Sequence, residues 1–160
     1  MAGLHKLPNS RNCFACGLEN PIGLKLEMYA DPSGKGVVCD YTIPKIYEGY
    51  PGIAHGGVVA TILDEVISRV YMVDDHNRFM YTAKLETRFS KHVPVEQPLH
   101  MTGEWLKDRG RAGQAKAAIY TIDGDLLAEG EALLVELSPT DLQAVNLQEL
   151  GWRVYADTEN

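Results

Sequence analysis

The chain is poor in cations and in cysteine, and it contains no long apolar run. Its 160 residues carry 15 Lys and Arg against 22 Asp and Glu, a formal charge of −7. That balance provides no global field to attract nucleic acid or an anionic membrane, so neither is expected as a partner. A phosphate-bearing ligand would need a local basic patch. The longest nearly uncharged stretch, residues 49–63, is interrupted by a proline, several glycines and a histidine, and it falls short of the ~18–20 apolar residues that span a bilayer. Residues 1–12 carry His5, Lys6 and Arg11 with no apolar run behind them. They do not read as a secretory signal, and a cytoplasmic location is expected.

Cysteine is limited to Cys13, Cys16 and Cys39, an odd number that argues against a disulfide framework. Cys13 and Cys16 have a spacing used by zinc sites, yet a structural zinc site needs four ligands and there is no second Cys pair. No metal and no cofactor are expected. A thioredoxin-like role would place the pair beside a βαβ unit, and the neighbouring pattern is a hairpin. A Gly-x-Ser-x-Gly elbow is missing, which disfavours a serine hydrolase, and Gly34 and Gly36 lie in a turn with no helix behind it, which disfavours a nucleotide fingerprint.

What is present is ordinary globular composition, 45% apolar and 23% charged, without repeats or a flexible linker. One domain over 1–160 is expected, with its core at about 13–137, a lead-in at 1–12 and an extension at 138–160. Leu24, Leu26 and Met28 alternate with polar neighbours, as do Val37, Cys39 and Tyr41, and Asp31-Pro32-Ser33-Gly34 between them reads as a turn. That pattern predicts a hairpin. From Gly56 to about Met72 the period becomes helical, with Val59, Ile62, Leu63, Val66, Ile67 and Val70 on one side. Strands are predicted at about 79–90, 99–107, 113–121 and 126–137, a short closing helix at 142–147, and fraying at 157–160. Two strands, one apolar helix and four long strands form an α+β pattern, one antiparallel sheet of about six strands curled round a central helix, the shape called the hot-dog fold.

His55-Gly56-Gly57 leads directly into that helix. Two glycines at a helix start leave backbone N–H groups bare, suited to a phosphate or to the oxyanion formed when a thioester or ester carbonyl is attacked. A tight turn packed close to the sheet is the plainer reading of the same residues. On the helix wheel Gly57, Thr61, Asp64 and Ser68 fall opposite the apolar set, with Ala60 among them and no lysine. A face of small and polar residues suggests cover by another subunit. Asp64 lies seven residues beyond Gly57, about 10 Å along the axis, so one acyl carbon cannot touch both on the same helix. Two antiparallel copies related by a two-fold axis would bring the carboxylate of one to the amides of the other. A homodimer with composite sites is therefore expected. Asp64 could serve as general base or as nucleophile, or be a solvated helix aspartate. Glu65 lies nearer Arg69 on the wheel and reads as structural or rim-facing.

The run His55-Gly56-Gly57-Val58-Val59-Ala60-Thr61-Ile62-Leu63-Asp64-Glu65 resembles the His-Gly-Gly helix start of hot-dog acyl-CoA thioesterases, particularly the phenylacetyl-CoA (PaaI-like) branch of the 4-hydroxybenzoyl-CoA thioesterase superfamily. Cys13-Phe14-Ala15-Cys16-Gly17 with Asn20-Pro21-Ile22-Gly23-Leu24 resembles an N-terminal element of that branch, and Tyr81-Thr82-Ala83-Lys84-Leu85-Glu86 the strand after the helix. The resemblance implies hydrolysis of an acyl-CoA to a carboxylic acid and CoA, with CoA as part of the substrate. It implies that Gly56 offers its N–H to the thioester oxygen, that Asp64 is the helix acid, and that Thr82 positions water or the acid. His55 either orients the loop or contacts the thioester. Gly57, Thr61 and Ser68 would line the substrate site. Phe89-Ser90-Lys91-His92-Val93-Pro94 resembles the family's strand end near the CoA nucleotide, which makes Lys91, Arg88 and His92 the candidate phosphate-binding residues. The family's upstream Asn or Gln falls here on Gly49, with Glu48 and Tyr50 as possible substitutes. The resemblance also implies a homo-oligomer, a dimer or a dimer of dimers. A hot-dog module that binds acyl-CoA without hydrolysing it is the alternative, though a binder would gain nothing from covering a carboxylate. Hydratase or dehydratase chemistry on this fold uses a different acid–base spacing.

Overall fold

A computed structural model of the chain describes residues 3–144 and 146–156; residues 157–160, where fraying is expected, and part of the predicted closing helix lie outside them. Strands β1 (Tyr29–Ala30) and β2 (Gly36–Thr42) are followed by a small hairpin, β3 (Glu48–Tyr50) and β4 (Ile53–Ala54). Helix α1 (Gly56–Arg69) comes next and ends in a 3-10 turn, Val70–Met72. Four long strands follow, β5 (Met80–Phe89), β6 (Pro98–Asp108), β7 (Ala112–Thr121) and β8 (Leu126–Glu136), and then two short helices, α2 (Pro139–Ala144) and α3 (Leu147–Leu150). β1, β2 and β5–β8 make one antiparallel sheet in the order β1-β2-β6-β7-β8-β5. This is the α+β architecture that the periodicity predicts.

Helix α1 contacts β2, β5, β6, β7 and β8. Five flat strands at ~4.8 Å spacing would span ~19 Å, wider than a helix of ~10–12 Å. The sheet must therefore curl round it. Val59, Ile62, Leu63, Val66 and Ile67 point into the sheet and are buried, against Ala115 and Ala117 of β7 and Ala128 and Ala132 of β8, also buried. Those small side chains let the helix sit deep. At β6 the approach is close, since a Cβ on Gly103 would stand 2.8 Å from Val66 Cγ1.

The long hairpins close where the turn residues lie. At the β6–β7 turn Arg109 N–H donates to Ala112 C=O (2.8 Å) and Gly110 N–H to Asp108 Oδ1 (3.0 Å), with Gly110 at φ +72°. That conformation favours glycine. Arg78 then clasps the turn, donating to both Asp108 oxygens at 2.6 and 2.9 Å.

The first predicted strand is corrected. Leu24, Leu26 and Met28 are buried as their alternation implies, yet only Tyr29 and Ala30 pair with β2. Lys25 has φ +58°, which breaks an extended ladder. The segment instead pairs with the chain before it, Leu24 N–H to Phe14 C=O (2.8 Å), Leu26 N–H to Ala15 C=O (2.9 Å) and Leu7 N–H donating to Met28 C=O (2.8 Å). The lead-in is part of the core: Leu7 is fully buried, and buried Asn9 donates to Cys16 C=O and Leu26 C=O, both at 2.7 Å. The C-terminal extension returns to it through Asn9 N–H and Arg153 C=O (2.9 Å). Among the described residues no helix is long and apolar enough to cross a membrane.

Candidate active site

The start of α1 is built by three neighbouring segments. Ala54 N–H donates to Val93 C=O (2.9 Å) and His55 N–H to Tyr47 C=O (2.9 Å), which ties the β3–β4 hairpin to the segment after β5. Tyr47 Oη in turn donates to Ile22 C=O (2.7 Å), so the Asn20-Pro21-Ile22-Gly23-Leu24 turn braces the loop from behind. Helix start, the Phe89 ring and the Lys91–His92 segment are thereby gathered at one place. A Cβ on Gly56 would lie 3.9 Å from Phe89 Cζ.

His55 is the N-cap of α1, and its Nδ1 accepts from Gly57 N–H at 3.0 Å. The imidazole thus satisfies one orphan donor of the first turn as a capping side chain does. Gly57 N–H is consumed inside the chain. The expectation that both glycines present bare donors narrows to Gly56, an exposed residue with the Phe89 ring beside its Cα.

Two turns further on, half-buried Asp64 accepts from Thr82 Oγ1 at 2.6 Å. This contact depends on an irregularity in β5. Thr82 stands opposite Leu134 but Lys84 stands opposite Leu133, so Ala83 is an extra residue in the ladder. The bulge keeps Thr82 on the helix side of the sheet and turns Lys84, Glu86 and Arg88 outward. The other two polar side chains of the helix face are occupied locally: Thr61 Oγ1 donates to Gly57 C=O (2.8 Å) and Ser68 Oγ to Glu65 C=O (2.9 Å). Their hydroxyl hydrogens serve the helix backbone, leaving their oxygens as acceptors.

The basic candidates are exposed and partly paired. Lys91 Nζ lies 3.1 Å from Asp125 Oδ1, Arg88 Nε lies 3.9 Å from Glu129 Oε1, and His92 is exposed. Only Lys91 and His92 stand beside the helix start, while Arg88 points to the opposite face of the sheet, among Glu86, Lys116 and Glu129. Glu65 pairs with buried Arg69, whose Nη2 donates to Oε1 at 2.7 Å.

Gly49 is explained by the same geometry. A Cβ there would sit 3.1 Å from His55 Cα, so an Asn or Gln would press the loop against the capping histidine. Neither neighbour replaces the amide. Glu48 is engaged by Gly52 N–H across the β3–β4 turn, and Tyr50 is 78% exposed. The contributions that sequence reasoning missed are the His55 cap and the Ala83 bulge. The bulge does leave a signal, a phase slip between Met80 and Thr82 on the one hand and Leu85 and Thr87 on the other.

No protein-family model matches the chain. The chain is 27% identical to acyl-coenzyme A thioesterase THEM4 of Rattus norvegicus over 127 residues, 79% of this chain and 54% of that protein. It is 30% identical to acyl-coenzyme A thioesterase THEM5 of Homo sapiens over 82 residues, 51% of this chain and 32% of that protein. The chain spans about half the length of the THEM4 relatives it matches, 54% and 52% in rat and cattle. A solved thioesterase superfamily protein superposes with TM-score 0.70 at 31% identity, covering 78% of this chain and 63% of that one. A hypothetical thioesterase protein from Streptococcus pneumoniae, solved with coenzyme A, shares the fold at TM-score 0.60 and 17% identity over 65% of this chain and 82% of that one. The chain is a hot-dog-fold protein related to the acyl-CoA thioesterases.

Proposed function

We propose that this chain hydrolyses acyl-CoA thioesters to a carboxylic acid and CoA, acting in the cytoplasm as a PaaI-like homo-oligomer whose active sites lie between two subunits. The observation that carries this reading is the Asp64 carboxylate, held by the Thr82 hydroxyl at 2.6 Å on a helix face without lysine. An aspartate so fixed is oriented for work on a neighbouring group, whereas a solvated helix aspartate needs no such partner.

In this mechanism Gly56 N–H polarises the thioester carbonyl and stabilises the oxyanion as water adds. Asp64 takes the proton from the attacking water. Collapse of the tetrahedral intermediate breaks the C–S bond, and the CoA thiolate leaves with that proton. Asp64 acting as nucleophile would instead form a mixed anhydride, which water then opens. Gly56 and Asp64 are eight residues apart on α1, about 12 Å along the axis, so the two act on one carbonyl only from different subunits. β5 supports such an assembly: among the described residues it is an edge strand of the sheet, ten residues long, with Tyr81 and Phe89 about half exposed. An edge of this kind invites pairing with a second copy. Lys91 and His92 would then meet the CoA phosphates beside the helix start.

The test is a panel of short-chain, long-chain and aryl acyl-CoAs, followed by loss of thioester absorbance so that protein thiols do not contribute. Asp64→Ala is expected to lower kcat/KM by ~10²–10⁴-fold. Gly56→Pro removes one N–H at the first helical position, where proline is well tolerated. Mixed dimers of the two variants contain one intact composite site, so mixing two inactive proteins should restore activity. Failure of every substrate to turn over, full activity of Asp64→Ala, or no recovery on mixing would each refute the corresponding part. Binding of acyl-CoA without turnover would favour the non-catalytic module.

A further inference from the structure

The N-terminal cysteines are not used by this mechanism, and the fold treats them differently from each other. Cys13-Phe14-Ala15-Cys16 forms a turn closed by Gly17 N–H donating to Cys13 C=O at 2.8 Å. Position 17 admits only glycine, because a Cβ would fall 2.4 Å from that same oxygen. Cys13 is half-buried, and its Sγ accepts from Ala15 N–H at 3.3 Å. Cys16 is 2% exposed, with Ser10 Oγ 3.6 Å from its Sγ. The two sulfurs and a Glu65 carboxylate oxygen lie within 4.8 Å of one another.

We propose that Cys13 and Cys16 are a reactive dithiol: Cys13 is the nucleophile that attacks a low-molecular-weight disulfide, and Cys16 is the resolving thiol that closes an intramolecular Cys13–Cys16 bond. The less buried member of the pair is the one supplied with hydrogen-bond donors, and the buried member is reachable only from its neighbour. This is the division of labour that thiol–disulfide exchange needs. The Cys16 thiol, donating to Cys13, holds the Cys13 thiol down at about 6; burial and the Glu65 charge oppose it, and the Cys16 and Ala15 N–H groups assist. Cys16 is pushed far up, first by that same donation and then by burial.

Glu65 would complete three ligands for a metal ion, but its Oε1 already accepts from Arg69 Nε (2.9 Å) and Nη2 (2.7 Å). The Arg69 guanidinium is 3% exposed and also donates to Pro8 C=O at 2.6 Å. A second buried cation beside it would be repelled, and no fourth ligand joins the group among the described residues. Dithiol chemistry needs no such ion.

The reaction balances without any other reagent. The Cys13 thiolate attacks one sulfur of RSSR, forming Cys13–S–SR and releasing RS⁻. Cys16 loses its proton and attacks Cys13 Sγ, which releases the second RS⁻. The two thiol protons end on two RSH, the pair is oxidised by two electrons, and RSSR is reduced.

The experiment uses the full chain with oxidised glutathione. Site-resolved mass spectrometry should show a chain lighter by two hydrogens, with Cys13 and Cys16 both protected and reduced glutathione reversing the change. Cys39 is the internal control, fully buried and pushed up to about 12 by burial and then by the Asp40 charge. A small aromatic disulfide probe then gives the pH profile of Cys13. At neutral pH greater ionisation is largely offset by the lower nucleophilicity of a more acidic thiol, so the discriminating readout is at acid pH. At about pH 5.5 Cys13 should react roughly tenfold or more faster than an ordinary thiol of pKa ~8.5. Cys16→Ala should shift the half-point of Cys13 toward that ordinary value and leave a stable mixed disulfide with glutathione. Asp64→Ala should behave as wild type, so this proposal stands or falls independently of the hydrolytic one. An ordinary Cys13 profile in the wild type, a mixed disulfide that never resolves, or a stoichiometric bound metal that shields both thiols until chelated would each overturn it.

Discussion

Replacing Thr82 by valine tests the Asp64 arrangement at its most specific point. The substitution keeps the β-branched shape and the strand preference of the residue while deleting the hydroxyl that donates to Asp64 Oδ1 at 2.6 Å. A hydrogen bond to a charged group contributes about 1.5–3 kcal/mol. Both partners are half-buried, so water replaces part of what is lost and the lower end applies, about 1.5 kcal/mol, which is about tenfold in rate. The loss should appear in kcat, because Thr82 orients the acid for the chemical step, with KM nearly unchanged. Thr82→Ser should recover most of it. Steady-state hydrolysis of the best acyl-CoA substrate provides the assay, with thermal unfolding as the check on folding. The decisive comparison is a double-mutant cycle. In an Asp64→Ala background Thr82→Val should cost nothing further, since a positioning residue has no role once its partner is gone. Independent, additive losses would refute the reasoning, as would unchanged kcat in Thr82→Val.

Two further outcomes follow from contacts away from the site. Tyr71 Oη bridges the far end of the β6–β7 hairpin, donating to Lys107 C=O (2.7 Å) or Gln114 C=O (2.9 Å). Tyr71→Phe leaves those carbonyls without it and should lower unfolding stability by ~1 kcal/mol in urea titration, with hydrolysis little changed. His5 and His76 face each other with Nε2 atoms 3.2 Å apart and rings stacked at 5.3 Å. Burial first and then the His5 charge hold His76 below its ordinary value, against Asp75. A depressed folded-state value means that this contribution to stability is complete above the unfolded pKa of ~6.5 and is lost as pH falls through and below it. The thermal midpoint should therefore drop in that range more steeply in wild type than in His76→Gln, and parallel curves would count against the pairing.

Periodicity made most of the fold legible because each element has one dominant environment. The four strands after α1 lie within one residue of the bounds that the apolar spacing predicts, and α1 reaches the predicted end at Met72 only through its closing 3-10 turn. The exception is instructive. Leu24, Leu26 and Met28 alternate as a strand does, and alternation reports which side chains are buried but not what the backbone pairs with. Their partners come from residues 7, 14 and 15, too irregular a set to leave a pattern. The site shows the same division. The resemblance is what singles out His55, Gly56, Asp64 and Thr82, whereas the His55–Gly57 cap depends on χ angles that the sequence does not encode, and the outward turn of Arg88 on a bulge whose trace is the phase slip in β5.

Three consecutive residues of α1 face three different environments, and this constrains what the helix tolerates. Leu63 is fully buried against the sheet, Asp64 meets Thr82 on the edge strand, and Glu65 pairs with Arg69 beneath the N-terminal cysteine turn. At ~100° per residue the three span ~200° of the helix circumference, so α1 is held on both sides of Asp64 against a shift in register or rotation. Truncating Leu63 would act through a cavity. Removing Glu65 would strand a buried guanidinium without its counter-ion, and under the proposed mechanism only at Asp64 is the loss one of chemistry. A rotation of α1 that relieved either neighbour would carry the carboxylate away from Thr82. The packing on its two flanks is therefore what holds the candidate catalytic group in register with the strand that orients it.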